Sequence, residues 1–292
     1  MLAQPRFAHA DEVDRMVADI GIPPCPSIVA TLIREARADE PDFGRISTLV
    51  SADVGLAAAV LKVANSALYG GGAPLDSVRQ AVMRIGMRNT VQLLTGLLLR
   101  QAFPVDGKAS LDAYWESSSR IAELAVRVAD EVCAGRPAER ELAYTFALFR
   151  DCGTALMLCR YEDYPRLLEA RNRLDRRVAD LEQARYGFTH AQVGFELARS
   201  WLLNEILCLA VLHHHSFDAL RGRRSDLGPT SMRLIAIGAV AESVYLLECG
   251  ELAAKEVEAA AEFAMLQLGL HPTALDDFAR EARSIQRFGP AR

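Results

Sequence analysis

The chain has 292 residues, 51% hydrophobic and 24% charged, with a formal net charge of −5. That length supports one large core or two smaller ones, and the acidic balance excludes a global electrostatic pull toward nucleic acid or an anionic membrane. No apolar run reaches the roughly 18–20 residues of a membrane span. The acidic start, with Asp11, Glu12 and Asp14, is unlike an export signal, so a cytoplasmic location is expected.

Helical periodicity runs almost throughout. Helices are expected at residues 11–20, 27–38 and 43–51, with proline-containing breaks at 22–26 and 39–41. Asp53 reads as the N-cap of a helix whose apolar stripe is Val54, Ala57, Ala58, Leu61, Ala64 and Leu68, stopped by the glycines at 70–72. Ser77 and Gln80 have the spacing of a capping box for a helix ending at Gly86. A leucine-rich helix follows at 88–100, and Pro104 with Gly107 marks a boundary. Beyond it the spacing predicts helices over 111–133, 139–161, 165–171, 178–186, 190–201, 205–214, 231–249, 253–268 and 273–287, with an arginine-rich loop at 220–228. No alternating strand of useful length is found. The expected fold is all-α: a small N-terminal helical bundle over 1–106 packed on a larger helical bundle over 107–292. Six scattered cysteines without a C-x-x-C pair read as reduced, mostly buried thiols.

Three stretches carry a family likeness. Residues 21–26 (GIPPCP), LKVANSALYG with its Asn65-Ser66 pair, and SVRQAVMRIG over 77–86 resemble the N-terminal signature of HDOD proteins. That family is related to the HD-superfamily metal phosphohydrolases. The resemblance implies an HD-like second half and a regulatory, non-catalytic role in bacterial signalling.

HD enzymes bind metal through an early histidine, an adjacent His-Asp pair and a later aspartate. Set against that pattern, Ser117 or its neighbour stands at the early histidine, Arg150-Asp151 at the pair and Glu242 at the late acid. Only Asp151 matches outright. Arginine has no lone pair to donate and keeps its charge at any accessible pH, so Arg150 puts a fixed cation about where a metal would sit. The expectation is a degenerate site with no catalytic residue, no metal and no cofactor. In it Arg150 pairs with Asp151 or Glu242 and holds the helices in register; the alternative is an arginine pointing to solvent.

The histidines are weighed separately. His190, in the His-Ala-x-Val-Gly context, and His214 and His215, within His213-His214-His215, resemble positions that some HD enzymes use for a second metal or a substrate phosphate. Structural roles compete with a residual ligand site here, because successive residues on a regular helix point about 100° apart and three cannot converge on one ion. The leading expectation is a module contacting another signalling protein in trans, with room for a small ligand or nucleotide in the remnant site. The alternatives are a metal-dependent phosphohydrolase built on Asp151, His190, His214, His215 and Glu242, and a nucleic-acid binder using Arg79, Arg84 and Arg88. The acidic total speaks against the last.

Overall fold

The computed structural model describes residues 16, 19–36, 38, 40–65, 74–103, 109–174, 176–216, 227–251, 253–271 and 273–288. All regular elements among them are α-helices, and none of these residues forms a strand. The fold is all-α. The chain divides into two compact units, one over Pro24–Ala102 and one over Phe103–Phe288 joined by the segment up to Pro23. The indole of Trp201 donates to the Pro23 carbonyl at 3.1 Å, which ties that segment to the second unit.

The first unit holds α1 (Ser27–Ala36), α2 (Phe43–Ser51), α3 (Val54–Ala64), α4 (Val78–Ile85) and α5 (Met87–Gln101). Asp42 and Asp53 cap α2 and α3 by accepting from the backbone N–H three residues on, each at 3.0 Å. The stripe expected on α3 is rotated. Leu56, Val60 and Ala64 face inward while Val54 is exposed, because this helix is apolar nearly all round and its periodicity carries little direction. Ser77 is the N-cap of α4 but makes no side-chain cap bond, so the expected capping box does not form. Asn65 is exposed and clamps the chain further on: its amide donates to the Leu75 carbonyl and accepts from the Leu75 N–H, both at 2.8 Å. Ser66 and most of the loop expected at 220–228 lie outside the described residues.

The second unit contains α6 (Ala109–Val132), α7 (Pro137–Phe149), α8 (Cys152–Arg160), α9 (Tyr164–Leu174), α10 (Val178–Tyr186), α11 (His190–Ser200), α12 (Glu205–His213), α13 (Pro229–Cys249), α14 (Lys255–Leu268) and α15 (Ala274–Phe288). The central helix is α13, packed against α6, α7, α12, α14 and α15. Its run from Leu234 to Ala241 is buried without a break, as expected of a helix enclosed on all sides. Gly238 lets α7 come close, since a Cβ there would lie 2.7 Å from the Phe146 ring.

The single helix expected over 139–161 is two helices, α7 and α8, broken at Arg150-Asp151. Residues 142–160 are apolar enough to pass for a membrane span, contrary to the sequence expectation, but 72% of that stretch is buried inside the protein. Among the described cysteines, Cys133, Cys152 and Cys208 are buried, Cys25 and Cys159 half-buried and Cys249 exposed, and none is in a disulfide.

Candidate metal centre

The candidate site is assembled from helix ends. Asp151 lies in the break between α7 and α8, His190 is the first residue of α11, and His214 and His215 follow the last residue of α12. Each sits where the chain enters or leaves a helix, so the 100° rule for neighbouring helical residues does not bind them. The break at Asp151 is held by close packing: a Cβ on Gly153 would stand 2.0 Å from the His190 carbonyl oxygen. A Cβ on Gly194, one turn along α11, would lie 3.1 Å from Val211 Cγ1 and 3.3 Å from Cys152 Sγ. These two glycines bring α8, α11 and α12 together at their site-bearing ends. Thr189 and Gln192 form a full capping box that starts α11 at His190.

One ligand atom from each of Asp151, His190, His214 and His215 lies within 4.8 Å of the others. His190 Nδ1 is 2.7 Å from Glu182 Oε2 and 2.8 Å from Oε1. His214 Nδ1 is 2.7 Å from the Val211 carbonyl oxygen, and His215 Nδ1 is 2.6 Å from Glu256 Oε1. Carbonyls and carboxylates only accept, so Nδ1 of His190 and of His214 keeps its proton, His215 Nδ1 meets Glu256 as a close ionic contact without hydrogen-bond alignment, and the three Nε2 atoms turn to the cluster. Those Nε2 atoms face one another, at 3.0 Å for His190 with His215 and 3.4 Å for His190 with His214. Asp151 Oδ1 is 3.2 Å from His214 Nε2 and 3.5 Å from His190 Nε2. Lone pairs gathered in this way require a shared proton or cation between them.

Burial alone would lower the basicity of His190, but Glu182 and Asp151 outweigh it and push its pKa up to about 10. Burial, then the neighbouring His215, pushes His214 down to about 3. Burial disfavours the Asp151 anion, yet the Arg150 guanidinium and bonds from His190 and His214 hold its carboxyl well below the usual range. Against the same penalty, His190 depresses Glu182, and His215 brings Glu256 down to about 2.

Arg150 is buried and does not point to solvent. Its guanidinium reaches Asp151 Oδ2 at 2.7 and 2.8 Å, Glu242 at 3.2 Å and the Gly238 carbonyl at 3.1 Å. The two oxygens of Asp151 are therefore divided, Oδ2 to arginine and Oδ1 to the histidines. Ser117 takes no part in the cluster; its hydroxyl donates to the Tyr114 carbonyl at 2.9 Å. On α6 it is Tyr114 that comes near Asp151 and Arg150. Glu242 serves Arg150 and is outside the four-residue donor group. A pocket of about 360 Å³, open mouth included, reaches His214, His215, Arg150, Glu242 and Glu256 between α13 and α14.

The ligand set expected from the HD resemblance does not fit a metal, because serine and a paired arginine stand at two of its donor positions. The offset set does fit: three imidazoles and one carboxylate suit a first-row transition ion, and His190 and His214 each have a hydrogen-bond acceptor behind them. The sequence pointed to His190, His214 and His215, but not to Glu182, Glu256 or Tyr164.

The HDOD domain family model matches residues 22–217. An HDOD domain protein of unknown function from Geobacter sulfurreducens superposes with a TM-score of 0.69 at 21% identity, covering 93% of this chain and 92% of that one. A candidate phosphohydrolase from Shewanella amazonensis SB2B superposes at 0.68 and 19% identity, covering 94% and 93%. A candidate signal transduction protein from Marinobacter aquaeolei VT8 does so at 0.68 and 21%, covering 98% and 61%. An uncharacterized protein of Treponema pallidum (strain Nichols) is 26% identical over 217 residues, 71% of this chain and 39% of its own length. The chain thus spans about two fifths of that curated relative. At these identities the structural likeness speaks for the fold.

Proposed function

The chain belongs to the HDOD family, and from that premise we propose that it is a non-catalytic bacterial signalling module acting on a separate protein in the cytoplasm. In this reading Asp151, His190, His214 and His215 hold a divalent transition ion as a fixed part of the fold. The observation that carries it is the division of Asp151. With Oδ2 committed to Arg150, the carboxylate has one oxygen left and cannot bridge two ions as a two-metal hydrolase would require. Four protein donors also complete a tetrahedral shell, the arrangement of structural sites, whereas catalytic sites keep a position open for water. The description of the Marinobacter protein supports the signalling role.

A second reading, a metal-dependent phosphohydrolase, is favoured by the pocket that reaches His214 and His215. A bound ion would there supply an activated water. Elemental analysis of protein expressed with added manganese, iron and zinc and purified without an affinity tag separates the two. The expected result is roughly one equivalent of a transition metal, with no turnover of phosphodiesters or nucleotides. Less than about a tenth of an equivalent refutes the ion. Metal-dependent turnover, abolished in Asp151→Asn, establishes the hydrolase instead.

A further inference from the structure

Glu182 is a carboxylate with no exposed surface, set behind the metal cluster. Three donors converge on it. The His190 backbone N–H donates to Oε2 at 2.9 Å, the His190 ring approaches both oxygens, and the Tyr164 hydroxyl makes a short bond to Oε1. Tyr164 is itself fully buried. The carboxylate is thus pinned from α9 while it grips both the main chain and the side chain of one ligand. The other two histidines are backed less strongly. His214 rests on a neutral carbonyl, and Glu256 behind His215 keeps 11% of its side chain in solvent.

We infer that Glu182, locked by Tyr164, is the positioning residue that sets the affinity of the cluster for a divalent transition ion by making His190 its strongest donor. The inference rests on the metal reading above. An enclosed negative charge behind Nδ1–H pushes electron density toward Nε2, and at low dielectric that effect is screened little. It also fixes ring and tautomer before an ion arrives.

Glu182→Gln isolates the charge. The amide oxygen can still accept from His190, and Tyr164, whose hydroxyl accepts as well as donates, can take the amide N–H. The shape therefore survives. Affinity for zinc is measured by competition with a chromogenic chelator, the Co(II) visible spectrum reports the ligand field, and the melting midpoint of metal-free protein reports the fold. The expected result is a loss of zinc affinity of about 10–100-fold and a shifted Co(II) spectrum, with the metal-free midpoint close to that of the parent. Glu256→Gln should lose less. Equal affinity and an unchanged spectrum in Glu182→Gln, with the parent binding zinc, would overturn this inference alone. A parent protein that binds neither zinc nor cobalt overturns the metal reading and this inference with it. Should Glu182→Gln fail to fold, Tyr164→Phe decides: it keeps the charge and frees one oxygen. It should cost severalfold in affinity, and parent-like affinity there rejects the inference.

Discussion

Replacing Arg150 by methionine tests whether the arginine stands in for a metal. Methionine keeps most of the length and apolar stem and removes the charge. The substitution takes from Asp151 a partner at 2.7 Å, from Glu242 one at 3.2 Å and from the Gly238 carbonyl a donor at 3.1 Å. Breaking a buried ion pair by deleting one member costs about 3–5 kcal/mol, mostly because the other charge is left unpaired. Here the orphaned carboxylates keep 27% and 25% of their side-chain surface in solvent, so water recovers part of the loss and the lower end, about 3 kcal/mol, applies. For a cooperative unit of this size that is a fall of about 6–12 °C in melting midpoint. The assay is differential scanning calorimetry of chelator-treated protein, so that ion binding does not mask the change. A midpoint within a degree or so of the parent would refute the arginine's role in holding α7, α8 and α13 together.

Gly153→Ala should be destabilising and should also disturb the site. A Cβ 2.0 Å from the His190 carbonyl oxygen meets backbone that no rotamer change can move aside, so α8 and α11 must separate, at about 1–3 kcal/mol or more; urea denaturation and zinc stoichiometry measure the two effects, and parent-like values in both would contradict the packing described. The stability of metal-free protein should peak near pH 6.5 and fall on either side. His214, held down to about 3 from an ordinary 6.5, contributes stability above pH 6.5 that is lost as pH falls through 3, and the depressed Asp151, Glu182 and Glu256 act in the same direction further into acid. His190, raised to about 10, contributes stability that is complete below pH 6.5 and is lost as pH rises through 10. A midpoint that keeps climbing from pH 6.5 to 10 would exclude the raised His190.

Helix positions were largely legible because amphipathic spacing marks them, and Asp53 was readable as a cap because a side-chain oxygen before an apolar run has few other uses. The break at Arg150-Asp151 was not. Local propensity carries the helix through 139–161, and what interrupts it is the close approach of α11, whose His190 and Gly194 backbone would meet any side chain at Gly153, a contact between distant parts of the chain that exists only in three dimensions. Glu182 was missed for a related reason. On α10 it shares the buried face with Val178, one turn earlier, and a charged residue in a core position is indistinguishable from a surface glutamate until its partners are known. The histidines were visible as residues, but convergence of His214 with His215 depends on α12 ending at His213, and no periodicity predicts the last turn of a helix to one residue.

The charge around the cluster bears on what it can hold. Four carboxylates crowd it: Asp151, Glu182, Glu242 and Glu256. Among the described residues at the cluster the permanent cation is Arg150, so these carboxylates outnumber it. In metal-free protein the extra proton on His190 offsets one of them, which is why that imidazole holds it so firmly. A divalent ion displacing that proton brings the surroundings closer to neutrality, so uptake is favoured by the same field that raises the histidine. An incoming phosphate ester would meet the opposite situation, since Glu242 and Glu256 line the pocket that leads to His214 and His215 and the guanidinium beside them is already shared between two carboxylates. On the reading proposed above, the described charges favour a cation at the cluster over an anionic substrate in the pocket.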